Sequence, residues 1–136
     1  MNYTLPTEAD LPQLTEWVSK DEHHKDILKP DHFLPKIDKE GKFEKGIIYL
    51  KVEDEAGVAF YLRLSNVMRV EVQFPPDADP ERTKIALKEA FAFVSLKAKA
   101  MGYKEMLFNS VSTHLIWFFK RLGFNPVKDH YKVSLL

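Results

Sequence analysis

The sequence predicts a mixed α/β (α+β) fold: a mostly antiparallel sheet flanked by helices, in the order β-α-(α)-β-β-β-α-β-α-β. Three observations predict it. Three consecutive β-rich stretches, Ile47–Glu53, Val58–Leu64 and Val67–Phe74, read as an antiparallel meander. A long helical pattern then runs to Met101, with Asp79 as cap, Pro80 at its first position and Gly102 as its stop. A short strand Glu105–Asn109, an amphipathic helix ending at Gly123 and an alternating stretch from His130 to Leu135 complete the order.

The remaining elements follow from local pattern. Asn2 to Leu5 is a short strand candidate. Leu11, Leu14, Trp17 and Val18 recur at helical spacing after Asp10, which reads as the N-cap, with Pro12 in the first turn. From Ser19 to Gly46 the pattern weakens. Pro30 and Pro35 break it, and Ile27, Leu28, Phe33 and Leu34 read as anchors onto the core. The histidines and aspartates of that segment do not converge as metal ligands, because adjacent His23 and His24 would point apart on a helix. No metal site is expected.

Composition narrows the function classes. At 136 residues one domain spanning 1–136 is expected, and 45% hydrophobic residues suffice for a core. Twenty basic and 20 acidic side chains leave no net charge, so no long-range field draws the protein to nucleic acid or an anionic membrane. No cysteine is present, which removes disulfides, thiolate ligands and a cysteine nucleophile. The N-terminal stretch does not read as a signal peptide, and no apolar run has spanning length. A cytoplasmic location is the expectation.

The three meander strands have two faces. One carries Ile48, Leu50, Val52, Val58, Phe60, Leu62, Met68, Val70, Val72 and Phe74. The other carries Tyr49, Lys51, Tyr61, Arg63, Arg69, Glu71 and Gln73. The second is either a solvated face or the floor of a polar pocket roofed by Ser19–Gly46. In the long helix Ile85, Ala86, Ala90, Phe93, Val94, Lys97 and Met101 give a wide apolar surface. In the last helix Leu115, Phe118, Phe119 and Leu122 form the inner stripe, Ser112 the cap, and Trp117 lies opposite, exposed.

The element order and three stretches resemble the GNAT superfamily of N-acyltransferases. Pro6-Thr-Glu-Ala-Asp-Leu-Pro-Gln-Leu14 is similar to the family's opening helix start. Glu53-Asp-Glu-Ala-Gly-Val-Ala-Phe60 is similar to its acidic hairpin. Leu115-Ile-Trp-Phe-Phe-Lys-Arg-Leu-Gly-Phe124 is similar to its last-helix motif. The resemblance implies an acyl-CoA donor, acetyl-CoA above all, lying where the strand ending at Phe74 splays from the next strand. Its pantetheine arm would pair with backbone near Gln73 and Phe74. Its pyrophosphate would rest on a glycine-rich loop matched here by Glu81-Arg82-Thr83-Lys84-Ile85-Ala86.

The resemblance further implies Glu71 as the base facing an amine acceptor, with Tyr49, Tyr61 and Arg63 shaping the acceptor pocket. Two departures stand out. Of the matched loop only Ala86 fits, and Asp77, Asp79 and Glu81 oppose a pyrophosphate, with Arg82 and Lys84 offsetting them in part. Acetyl-CoA is therefore expected to bind weakly or not at all. Phe119 stands where the motif tyrosine would protonate the departing thiolate, which leaves His114 as a substitute or as a solvent-facing residue. Two functions stay open: N-acyl transfer to a small-molecule or protein amine, and a GNAT-fold module without CoA binding that serves a protein partner, for example in a virion.

Overall fold

The computed structural model describes residues 1–65, 69–108, 113–127 and 130–134. Strand β1 is Asn2–Thr4. Helix α1 is Leu11–Lys20. Strands β2 (Ile48–Asp54), β3 (Gly57–Leu64) and β4 (Arg69–Gln73) form the meander. Helix α2 (Pro80–Ala100), β5 (Glu105–Phe108), α3 (Thr113–Arg121), β6 (Asn125–Val127) and β7 (His130–Ser134) follow. One seven-stranded sheet has the order β1-β2-β3-β4-β5-β7-β6. Among the described residues only β4 and β5 pair in parallel; the other neighbours are antiparallel.

The predicted fold class is the observed one. Strand β6 was not foreseen, because Pro126 argues against a strand. Proline is tolerated there because β6 is an edge, where a missing N–H breaks no ladder. The expected turn at Asn66, Met68, the strand end at Asn109 and Ser110, the Ser112 cap and Leu135 lie outside the described residues. Among described residues β4 and β5 pair at Arg69–Leu107 and Val70–Phe108, after which β4 runs on to Gln73. The expected splay beyond these pairs falls on residues 109–112, outside the described residues.

Helices α2 and α3 cover one sheet face. Ile48, Leu50, Val52, Phe60, Leu62, Leu64, Val70 and Val72 meet Ala86, Leu87, Ala90, Phe91, Val94, Ala98 and Phe119 there. Phe119 is fully buried, stacked on Phe108 at 3.8 Å and edge-on to Phe91 at 5.0 Å. Asp79 caps α2 by accepting from the Arg82 N–H at 2.9 Å, and Gly102 (φ 90°) takes the left-handed conformation that ends it.

Helix α1 and a 3-10 turn at Pro30–Phe33 cover the other face. A second cluster of Leu14, Trp17, Phe33, Leu34 and Tyr61 forms there. Four expectations are corrected. Val58 packs on this second cluster, because a bulge opposite Val52/Glu53 inserts a residue and shifts the alternation, so Ala59 joins the first cluster instead. Ile27 is 78% exposed and anchors nothing. Ile85 (57% exposed) and Met101 turn outward from α2, since its inner stripe is narrower than the sequence pattern suggests. Asp10 stands at the N-cap position of α1, but its side chain caps no N–H of that helix. It sits in helical conformation at the end of a 3-10 turn, Glu8–Asp10, with its carboxylate turned inward.

Candidate functional site

A cleft of about 810 Å³ opens beside β4. Arg69, Val70, Glu71, Val72 and, beyond the strand, Phe74 form one wall. Pro80, Glu81, Thr83, Lys84 and Leu87 at the start of α2 form the second. His114, Leu115, Trp117, Phe118 and Arg121 of α3 form the third, and Asp21, His23, His24, Ile27 and Leu28 after α1 roof it. Val70 and Val72 belong to the face under α2, whereas Arg69 and Glu71 point to the opposite face. One cavity touching both sets must run along the edge of β4 rather than over a face.

Glu71 is the carboxylate on the cleft wall. Its Oε2 accepts from His32 Nε2 at 2.8 Å and its Oε1 from Arg63 Nη1 at 3.1 Å. Because a carboxylate only accepts, His32 carries its proton on Nε2. Burial pushes the Glu71 carboxyl up, but the hydrogen bond and charge of His32, with Arg63, outweigh it and hold Glu71 below its ordinary value. Glu71 is therefore an anion across neutral pH.

Other residues of the polar face are brought together by the roof but stand outside the cleft. Gln73 is fully buried. Its amide nitrogen donates to Asp21 at 3.1 Å and to the Phe74 carbonyl at 3.0 Å, and its oxygen accepts from His24 Nδ1 at 2.7 Å. Tyr61 is fully buried, edge-on to Trp17 at 5.5 Å, and donates to Asp10 at 2.8 Å. Burial and then the Asp10 carboxylate push its phenol up, so it stays protonated. Asp10 also accepts from Lys51 at 3.2 Å. The Arg63 guanidinium lies 5.8 Å from the Tyr49 ring centroid, and its Nε is buried without a hydrogen-bond partner among the described residues. Tyr49, Tyr61, Arg63 and Gln73 thus form a closed layer behind the cleft.

The start of α2 also departs from the expected loop. The helix begins at Pro80, so Lys84, Ile85 and Ala86 lie within it, where backbone amides bond to carbonyls one turn back. Pro80 has no N–H. The Arg82 N–H is taken by the Asp79 side chain, and the Thr83 N–H by the Asp79 carbonyl at 2.9 Å. The Arg82 side chain turns away, donating to Asp54 at 2.7 Å and to the Gly57 carbonyl at 3.1 Å. Ala86 is fully buried in the core and Ile85 is exposed; neither lines the cleft. Of the residues matched to the loop, Glu81, Thr83 and Lys84 reach it, as does Phe74 before them.

His114 lines the cleft from the first turn of α3. Phe119 faces the core, and its neighbour Phe118 faces the cleft. Arg69, Trp117 and Arg121 were not foreseen as site residues, nor were Asp21, His23 and His24. Trp117 is 59% exposed, and the Arg121 guanidinium lies 3.9 Å from its ring centroid. The sequence signals for these were the alternation that put Arg69 on the polar sheet face and the exposed position of Trp117. The cleft can hold a long, partly apolar molecule with an anionic end. Its middle is walled by Val70, Val72, Phe74, Leu87, Leu115 and Phe118. Its rim carries Arg69, Lys84 and Arg121, against the carboxylate of Glu81.

No protein-family model and no curated protein sequence matches the chain. Solved structures match it over almost its whole length. A GNAT-family acetyltransferase from Staphylococcus aureus is 15% identical, covers 99% of both chains and has a TM-score of 0.71. This is the fold of the GNAT acetyltransferases. A spermidine N-acetyltransferase chimera from Vibrio cholerae is 9% identical over 99% of this chain and 96% of its own, with a TM-score of 0.66. A putative acetyltransferase from Salmonella typhimurium, determined with its cofactor acetyl-CoA, is 15% identical over 100% and 94%, with a TM-score of 0.63. Among the described residues of this GNAT fold no helix is long and apolar enough to cross a membrane.

Proposed function

We propose that this protein transfers an acyl group from acyl-CoA, acetyl-CoA in the first instance, to an amine. The observation that carries the reading is the cleft along the edge of β4 with the anionic Glu71 on its wall. In size and lining it suits such a donor: apolar walls for the arm and cations at the rim for the phosphates. The capped start of α2 does not suit it, so binding is weak. The donor, when bound, supplies an activated thioester.

The residues supply the rest. Glu71, already ionised, attracts a protonated amine and takes its proton, directly or through a water. His32 and Arg63 hold the carboxylate in place and keep it charged. His114, on the facing wall, is the proton source for a departing thiolate. The acceptor is a small-molecule or protein amine; the likeness to a spermidine N-acetyltransferase fits that class.

The test is thiol release from acetyl-CoA with a panel of polyamines and amine-bearing peptides. Glu71→Gln should lower turnover roughly 10²–10⁴-fold, the range for a general base, while leaving acetyl-CoA binding within about twofold. Equal turnover in the variant would remove Glu71 from the chemistry.

A second reading has one observation behind it. Phe119 is sealed in the core where the family motif has a tyrosine, and Phe118, which faces the cleft, has no proton either. A GNAT-fold module that binds a protein partner without catalysis fits that feature. No thiol release with any amine, together with no acetyl-CoA binding, would favour it.

A further inference from the structure

The GNAT fold offers a helix start to a phosphate because the first amides are free and the dipole is positive there. In this chain that offer is withdrawn. The first position is Pro80, the Arg82 N–H is capped by Asp79 at 2.9 Å, and Arg82 itself is bound to Asp54. An anion at the mouth therefore meets few free amides and depends on side-chain cations.

Besides Arg69 of β4, two cations line the same cleft. Lys84 comes from α2 and Arg121 from α3; both line the cavity and both are exposed. Among the described residues neither has a carboxylate within ion-pair distance. Arg121 is also pre-positioned, with its guanidinium 3.9 Å from the Trp117 ring centroid. Trp117 lines the same cleft and is 59% exposed, which leaves ring surface open to a ligand. An exposed aromatic ring with one cation against it and a second lining the same cleft suits a planar base carrying phosphates. The ring takes the base by stacking, and the cations take the anions.

We infer that Lys84, Trp117 and Arg121 form a side-chain clamp for the nucleoside-phosphate end of the donor, replacing helix amides as the anion site. The inference rests on the acyl-CoA reading for the identity of the donor, but the clamp can be probed apart from it. Point charges on flexible, exposed side chains hold phosphates less rigidly than amides and are screened by salt, so the clamp is weak and salt-sensitive.

The probe is adenosine 3′,5′-bisphosphate, which has the base and phosphates but no thioester. Binding is read by tryptophan fluorescence. Trp17 is buried at 7% exposure, so a quench on binding reports Trp117. S-acetylpantetheine, which lacks the nucleotide, is titrated by calorimetry in parallel. Lys84→Ala and Arg121→Ala should each weaken bisphosphate binding about fivefold, within what an exposed charge contact supplies. Trp117→Ala, read by calorimetry, should weaken it by at least as much, and Trp117→Phe by less. None should change S-acetylpantetheine affinity or the far-ultraviolet circular dichroism. Raising salt from about 50 to about 500 mM should weaken the bisphosphate and spare S-acetylpantetheine.

Failure of the bisphosphate to bind the unaltered protein overturns the clamp, as does unchanged affinity in the Lys84 and Arg121 variants. Binding of S-acetylpantetheine in either case leaves the donor reading standing without the clamp. Bisphosphate binding that depends on Lys84 and Arg121, with no S-acetylpantetheine binding, upholds the clamp and removes the acyl-donor reading.

Discussion

Two ends of one polar sheet face have met different fates. At the β3 end, Tyr61 is fully buried and its hydroxyl, Asp10 and Lys51 satisfy one another beneath α1. At the β4 end, Glu71 is held just as firmly by His32 and Arg63, yet it borders an open cleft. The chemistry of the residues does not separate these ends. What separates them is the roof. Helix α1 and Phe33 close over Tyr61, whereas beside β4 the stretch just after α1 bonds to Gln73, and its His23 and the 78% exposed Ile27 border the cleft. A polar residue under a closed roof is architecture; one at the margin of the roof is available to a ligand.

The largest expected effect tests the closed end. Tyr61→Ala should cost roughly 3–5 kcal/mol of stability by urea unfolding, as for other large buried aromatics, and leave donor affinity of the folded fraction unchanged. A change in donor affinity without loss of stability would merge the two ends into one site. Tyr61→Phe keeps the ring and removes only the hydroxyl. It should cost about 1–3 kcal/mol, because Asp10 is left under-satisfied in a buried place. A cost near zero would mean that the hydroxyl network is ornamental to the closed end.

Acid titration should reach both ends. The Glu71 carboxyl lies below its ordinary 4.5 and the Asp10 carboxyl below its ordinary 3.8 in the folded chain. For both, burial pushes upward and is outweighed by bonded donors: His32 and Arg63 for Glu71; Thr7, Tyr61 and Lys51 for Asp10. A depressed folded value means stability is fully present above the unfolded value. It is lost as pH falls through the folded one. Unfolding free energy should therefore hold from neutral pH down to those ordinary values and decline below them. Glu71→Gln and Asp10→Asn should each flatten part of that decline. An unaltered pH profile in either variant would contradict the ion pairing described for that end.

Much of this contrast was legible in the residues, and the rest was not, for physical reasons. Alternation placed Tyr61, Arg63, Glu71 and Gln73 on one face and left open whether it was solvated or roofed; the fold roofs it, with His24 on Gln73 and His32 on Glu71. Alternation misplaced Val58, because a bulge is a long-range pairing event with no residue signature here. Helix caps were legible at Asp79 and Gly102, since capping is local. The fate of Arg82 was not, because its partner Asp54 lies in the turn between β2 and β3 and meets α2 only in the fold. Nor could sequence tell that Phe118 faces the cleft while Phe119 faces the core. That depends on how α3 is rotated against Phe108 and Phe91.

The smallest expected effect concerns the capped start of α2. Asp79→Ala should cost about 0.5–2 kcal/mol of stability, the usual worth of an N-cap. It also frees the Arg82 N–H and removes a negative charge, so acetyl-CoA affinity should rise roughly twofold or more. A fall in affinity would mean that the cap holds the loop from Phe74 to Asp79 in a shape the donor needs.

The central claim is that the cleft beside β4 receives an acyl-CoA despite its capped helix. Calorimetric titration with acetyl-CoA and free CoA tests it most directly. The account predicts saturable binding of one molecule per chain, weaker than about 10 μM, since each lost 1.4 kcal/mol of phosphate contact costs tenfold. It should weaken further when Arg121 or Lys84 is replaced by alanine. The absence of saturable heat with either ligand up to about millimolar concentration, a ceiling of roughly 4 kcal/mol of binding, would contradict it.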